Sequence, residues 1–121
     1  MVREMKENVI LQKAIALGVR IVKLAEFLEN QKQKVIAGQI LRSGTSIGAN
    51  VAESEYASSK PDFINKLHIA QKEAGETGYW LQLLKFSGLI DDKMYASLKQ
   101  DLEELLKMIG KSLITSKQIK T

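Results

Sequence analysis

The chain has 121 residues, of which 45% are hydrophobic and 26% are charged, with a formal net charge of +4 and no cysteine. This is the composition of a folded globular domain, and it excludes a disulfide-stapled fold and a thiolate metal site. No stretch approaches the roughly 18 uninterrupted apolar residues that a membrane-spanning helix needs. We therefore expect a cytoplasmic protein without a membrane segment, whose mild basic charge is compatible with contact to phosphate groups.

Apolar residues near the start of the chain recur at steps of three and four, which predicts a first helix. Its main stripe is Ile10, Ala14, Leu17, Ile21, Leu24 and Leu28. A second stripe runs beside it and consists of Leu11, Ile15, Gly18, Val22 and Ala25. The apolar face is thus broader than the core of one bundle needs, and we expect the additional apolar surface to contact a partner. The polar residues 29–33 predict a short turn.

Residues 34–58 predict a second helix of unusual composition. Glycine and other small residues crowd this segment, although each helical glycine costs up to about 1 kcal/mol relative to alanine. Gly44 and Gly48 are four residues apart and share a face, where the missing side chains let another helix come close. A break in the helix near Gly44 is the competing interpretation.

The third and fourth helices have recognisable starts and stops. Ser59 can cap the third helix, with Asp62 three residues on and Pro61 in the first turn, and Gly88 predicts its end. The apolar stripe of the third helix is Phe63, Leu67, Ala70, Ala74, Thr77, Leu81 and Leu84. Asp91 can cap the fourth helix. The fourth stripe is Tyr95, Leu98, Leu102, Leu105, Ile109 and Leu113.

The short turns between these helices determine the expected architecture. A turn of a few residues cannot return the chain along a helix about 30 to 40 Å long, so consecutive helices must run antiparallel. The sequence therefore predicts an all-α fold, namely an up-down-up-down antiparallel four-helix bundle. Residues 1–121 are expected to form this single bundle domain.

Carboxylates inside a helical bundle raise the hypothesis of a di-iron site with Glu53, Glu73 and Glu76 as ligands. Such sites need a Glu-x-x-His motif on each of two helices, and the only histidine, His68, does not follow a glutamate by three residues. Nor is there a strand-turn-helix elbow that would set a serine nucleophile beside His68. We therefore expect no catalytic residue, no metal site and no cofactor, and we predict that the protein is not an enzyme.

Several polar residues fall where a simple bundle would place hydrocarbon, and we predict that they make structural or oligomer contacts. They are Arg42, Asn50, Glu53, Glu73, Glu76 and Trp80. Because a buried charge has to be paired, Arg42 is expected to contact one of the three glutamates of this set, within a chain or between chains. The alternative is that these groups are solvated surface charges.

The second helix also carries the string Arg-x-x-x-Ser-Ile-x-x-Asn-x-Ala-Glu, from Arg42 to Glu53. The segments that accompany it are Asp62-Phe63, the run 69–74, Glu76-Thr77 and Tyr79-Trp80-Leu81. Over about residues 10–115 the chain resembles the four-helix-bundle family of proteins encoded in 23S ribosomal RNA intervening sequences. The resemblance implies a ring-shaped homopentamer. It also implies a relationship to the accessory protein of diversity-generating retroelements, which binds nucleic acid and a reverse transcriptase.

The resemblance further implies RNA or DNA as a partner, bound through its phosphates. The candidate contact residues are Arg42, Lys60, Lys66 and Lys72. The chain departs from the family pattern after the Ala-Glu pair, where a glycine and basic residues often follow and where residues 54–59 here precede a single lysine. Contacts to phosphate without base reading would be strongly weakened by salt.

Two functional hypotheses follow from these features. The leading one is a non-enzymatic, homo-oligomeric bundle that serves as an accessory protein for nucleic acid, a ribonucleoprotein or a reverse transcriptase. The alternative is a protein-interaction scaffold, which would bind a partner protein through an apolar groove and have no affinity for nucleic acid. Salt-dependent binding of nucleic acid separates the two.

Overall fold

The chain folds into four α-helices. The computed structural model describes the backbone of residues 2–118 and the side chains of residues 9–117. The helices are α1 (Val2–Asn30), α2 (Lys34–Ser54), α3 (Lys60–Phe86) and α4 (Asp92–Gln118). No strand occurs in this described range, which confirms the all-α prediction. None of the four helices, over the same range, has the length and apolar character needed to cross a membrane.

The four helices pack in a closed square. Each helix packs closely against its neighbours in the chain, and α1 also packs against α4. Among the described residues, the backbones of the diagonal pairs α1/α3 and α2/α4 do not approach each other closely. The connecting turns are only 31–33, 55–59 and 87–91, so each reverses the chain direction. The side of the bundle formed by α1 and α2 therefore lies opposite the side formed by α3 and α4.

The helix ends are held by the residues that the sequence indicated. The Ser59 hydroxyl accepts a hydrogen bond from the Asp62 amide at 3.2 Å, and the Asp91 carboxylate accepts one from the Met94 amide at 2.7 Å. Gly88 adopts a φ of +77° just after α3, a conformation that favours glycine. Both predicted caps and the predicted stop are thus confirmed.

The continuity of α2 decides between the two interpretations of that segment. The helix runs unbroken through Gly44 and ends at Ser54, four residues before the predicted end at 58. The residues from Glu55 onward turn instead, because Ser59 and Pro61 start the next helix. The hypothesis of a break near Gly44 is wrong, and tertiary packing compensates for the low helix propensity of the segment.

Gly44 and Gly48 mark the closest approach of α1 and α2. A Cβ atom built on Gly44 would lie 2.8 Å from Cγ2 of Ile21, and one on Gly48 would lie 3.5 Å from Cβ of Ala14. Real Cβ atoms avoid the first distance, so Gly44 is required for this contact. The prediction that these glycines admit another helix is confirmed, and that helix is α1.

The core contains the main predicted stripes of α1, α3 and α4, together with Ile40, Ile47 and Val51 of α2. The exceptions are Ile10, Phe63 and Tyr95, which are partly buried at the edges of the core. The fully buried Thr77 occupies an apolar position of its stripe, and its hydroxyl lies 2.9 Å from that of Ser43 and 2.9 Å from the Glu73 carbonyl. This hydrogen bond between α2 and α3 satisfies the two buried hydroxyls, as interior polar groups require.

Candidate functional site

An ion-pair cluster lies across α2 and α3. The Arg42 guanidinium donates to Glu73 at 3.3 Å and also to Glu76, and the Trp80 indole N–H donates to Glu76 at 3.0 Å. About half of the Arg42 side chain is exposed, whereas that of Glu73 is only 14% exposed. We call Arg42, Glu73, Glu76 and Trp80 the polar cluster. It joins two helices of one chain and fixes the orientation of the indole.

Two of the predicted polar residues lie outside this cluster. Glu53 pairs with Lys66 instead of Arg42, at 3.0 Å from the ammonium nitrogen. The hydrogen bond and charge of Glu53 raise the pKa of Lys66 above its ordinary value. The Asn50 amide donates to the Ser46 carbonyl one turn earlier at 2.9 Å, so it stays within its own helix. The structure therefore brings together four of the six predicted polar residues.

The four predicted phosphate contacts have different surroundings. Arg42 faces two carboxylates and Lys66 faces one, so a phosphate would have to compete with carboxylates at both positions. Lys60 begins α3 and is half-buried. Lys72 is exposed on α3 and makes no ion pair with any described residue. Of the four, Lys72 is the most accessible to a phosphate.

An apolar surface lies on the opposite pair of helices. Ile15, Val19 and Val22 of α1 are 40 to 56% exposed and flank a groove of about 400 Å³ whose other wall includes Thr45 and Ala49 of α2. We call these five residues the α1–α2 face. Residues 43–52 of α2 contain no charged side chain. The one charged residue in the lining of this groove is Lys23 of α1, which lies at the margin of the face.

A second groove runs between α3 and α4. Its volume is about 310 Å³, and its lining includes Gly75, Gly78, Tyr79, Tyr95 and Lys99. We call these residues the α3–α4 groove. The sequence interpretation missed it, although two glycines three apart on an otherwise regular helix were a usable signal. Such glycines leave a depression wherever no neighbouring helix fills it.

Histidine and the acidic residues form no compact centre in the described part of the chain. His68 is exposed on α3, with Nδ1 3.4 Å from the side-chain oxygen of Gln71. No three metal-capable side chains come together among the described residues. The α1–α2 face offers apolar contacts, and the α3–α4 groove offers aromatic rings and a cation. These surfaces are suited to binding another molecule.

Comparison with known proteins places the chain in a family. The model of the 23S rRNA-intervening sequence protein family matches residues 6–111. A crystal structure of a protein of unknown function from the S23 ribosomal protein family of Bacteroides thetaiotaomicron VPI-5482 is 50% identical, with a TM-score of 0.87. That similarity covers 89% of this chain and 97% of the other. None of the curated proteins compared with the chain matches it. The chain belongs to the 23S rRNA-intervening sequence protein family.

Proposed function

We propose that the protein is a non-enzymatic homo-oligomer that acts as a nucleic-acid accessory factor, with copies associating through the α1–α2 face. The observation that supports assembly is the exposure of three neighbouring β-branched residues, Ile15, Val19 and Val22, on that face. The outward surface of a helix in a monomer normally carries charged and polar residues. Here it carries hydrocarbon that is about half exposed, so complete burial by a partner gains roughly 0.7 to 1.5 kcal/mol per side chain.

A second copy of the chain is the partner that fits this face. The α1 ridge of Ile15 and Val19 stands beside a groove with small residues at Gly18, Gly48 and Ala49. The face thus carries both a ridge and a groove. If the ridge of one copy enters the groove of the next, each copy meets two neighbours, and a head-to-tail contact of this kind can close into a ring. A ring of five, as the family resemblance implies, is the assembly that we propose.

Single-cysteine labelling tests this use of the face. The chain has no cysteine, so Val19→Cys and Ile114→Cys each create one thiol. In a single chain Val19 is 51% and Ile114 is 59% exposed, and both thiols would react with a maleimide at similar rates. We expect assembly to slow the labelling of Val19→Cys about tenfold or more at high protein concentration and to leave Ile114→Cys unaffected. Similar rates for the two variants would contradict the proposal.

Nucleic-acid binding is supported by the net positive charge and by three lysines that have no carboxylate partner among the described residues. The net charge is +4, and Lys72, Lys85 and Lys99 make no ion pair with any described carboxylate. Such lysines can contact phosphates without giving up a carboxylate partner. The implied role is that of an accessory protein that holds RNA or DNA, alone or together with a reverse transcriptase or ribonucleoprotein partner.

A salt titration distinguishes this role from that of a protein scaffold. Phosphate contacts release counterions, so neutralising about three phosphates predicts an affinity that falls nearly with the cube of the salt concentration. Filter binding of labelled RNA and DNA between about 50 and 200 mM salt should show a loss of roughly tenfold to a hundredfold. Absence of retention at the lowest salt would remove the nucleic-acid role and favour the scaffold, which binds only a partner protein.

A further inference from the structure

We propose that the α3–α4 groove binds single-stranded nucleic acid, with a base stacked on Tyr79 and phosphates held by Lys85 and Lys99. This inference rests on the proposed nucleic-acid binding, to which it adds a location and a preferred form of the ligand. The groove is separate from the α1–α2 face, because α3 and α4 form the opposite side of the bundle. One protomer can therefore associate through one side and bind nucleic acid through the other.

The groove is open because two of its α3 residues, Gly75 and Gly78, have no side chain to fill it. A Cβ atom added to Gly75 would meet no atom within 4 Å, and one on Gly78 would meet only Leu102 Cδ2, at 3.5 Å. The depression is therefore made by missing side chains on α3 and lies at the level of Tyr79. Flat groups such as bases can enter a shallow groove of this kind and stack on an aromatic side wall.

Tyr79 is suited to base stacking. More than half of its side chain, 55%, is exposed, and its ring packs edge-on against Trp80 with the centroids 5.0 Å apart. The Trp80 indole is in turn fixed by its hydrogen bond to Glu76. The tyrosine ring is thus supported on one side and accessible on the other. Phe86, seven residues further along α3 and largely exposed, presents a second ring on the same stripe about 10 Å away.

Aromatic rings position two lysines at the groove: Lys99 lines it, and Lys85 lies beside it against Tyr95. The Lys85 ammonium lies 4.7 Å from the centroid of Tyr95 and 5.5 Å from that of Phe86, and the Lys99 ammonium lies 5.8 Å from Tyr95. Cation–π contacts of this kind position a lysine without neutralising its charge. Glu103 is the one acid in the lining, and it lies one turn beyond Lys99, on the far side from Tyr95. Phosphates are therefore favoured at the Lys85 end.

These features favour a single strand over a duplex. In a duplex the base faces are stacked on one another, so only phosphates and groove edges are accessible to Tyr79 and Phe86. In a single strand the faces are free, and stacking on an aromatic ring tolerates any base. A groove to which two helices contribute neighbouring rings and cations is therefore suited to single strands of mixed sequence.

Fluorescence anisotropy with labelled oligonucleotides of about 12 nucleotides, in single-stranded and duplex forms, tests the proposal. Tyr79→Ala removes the stacking ring and Tyr79→Phe keeps it, while Tyr56→Ala removes an exposed tyrosine from the turn after α2 as a matched control. Gly75→Leu fills the groove without displacing any atom within 4 Å of the new Cβ. Gly38→Leu is its control, because Gly38 is equally unobstructed on α2.

The wild type is expected to bind the single strand more tightly than the duplex. Tyr79→Ala should weaken single-strand binding about tenfold, since one base stack is lost, and Tyr79→Phe should bind like the wild type. Gly75→Leu should weaken it similarly, and the two control variants should not change it. These losses should be smaller for the duplex.

Three results would overturn the groove assignment in distinguishable ways. Binding by the wild type that Tyr79→Ala and Gly75→Leu leave unchanged would retain the nucleic-acid role and place it elsewhere. No binding of either oligonucleotide at low salt would remove the nucleic-acid role and the groove assignment together. A change in the molar mass of Gly75→Leu with unchanged binding would assign the groove to contact between copies.

Discussion

A lysine in place of Val19 is expected to dissociate the assembly into single chains that remain folded. In the proposed interface Val19 is buried between two copies. The new ammonium group would lose water without gaining a carboxylate, since neither residues 8–25 nor residues 43–52 contain one. An unpaired buried charge costs several kcal/mol, which is enough to reduce association by several orders of magnitude. Within one chain the position is half exposed, so the bundle itself tolerates the change.

The matched control for this variant is Ile114→Lys. Ile114 is a β-branched residue on α4 with comparable exposure in the single chain, and it lies outside the α1–α2 face. Both variants raise the net charge equally, so a general charge effect would alter both. Light scattering should give a smaller mass for Val19→Lys only, while circular dichroism shows native helix content in each. Equal masses for the two variants would show that the α1–α2 face is not the interface.

Alanine at Gly44 is expected to lower the free energy of unfolding by about 1 to 2 kcal/mol. The new Cβ would lie 2.8 and 2.9 Å from the two γ carbons of Ile21 and 3.2 Å from its Cβ. Ile21 is completely buried and β-branched, so it cannot rotate away and the two helices must separate slightly. Overpacking of this kind costs about 1 to 3 kcal/mol, from which alanine's better helix propensity recovers up to about 1 kcal/mol.

The control Gly38→Ala should change stability in the opposite direction. Gly38 lies on the same helix, and a Cβ there meets no atom within 4 Å. Only the propensity term remains, so we expect a gain of up to about 1 kcal/mol. Urea denaturation of the two variants at one protein concentration measures both changes. Stabilisation by both substitutions would mean that α1 and α2 do not approach closely at Gly44.

The parts of this fold that the sequence could predict depend on local spacing. The spacing of apolar residues placed the four helices, and Ser59 and Asp91 marked two starts because capping involves residues only three apart. The close contact at Gly44 was also predictable, because a glycine on the core face of a helix indicates that another helix approaches closely there. In each case the signal can be read from residues of a single helix and its cap.

The parts that could not be predicted depend on the axial register between helices. Spacing shows which residues share a face of α2, but not that Glu73 lies opposite Arg42 and Lys66 opposite Glu53. Sliding α3 by a turn would give both α2 residues other partners. The α3–α4 groove was missed for the same reason, since Gly75 and Gly78 form a depression only if α4 leaves the space above them open. The left-handed backbone conformation of Lys32, with a φ of +64°, was not predicted for a different reason. A lysine gives no sequence signal for that conformation.

Copies of the chain must cover the α1–α2 face if they associate as proposed, and the molar mass in solution is the most direct measurement of this. Light scattering of the unmodified protein across a wide concentration range should give a mass several times the 13.5 kDa of one chain, approaching that of a pentamer. A mass of one chain at high concentration, with helix content intact and Ile15, Val19 and Val22 still exposed to water, would contradict it.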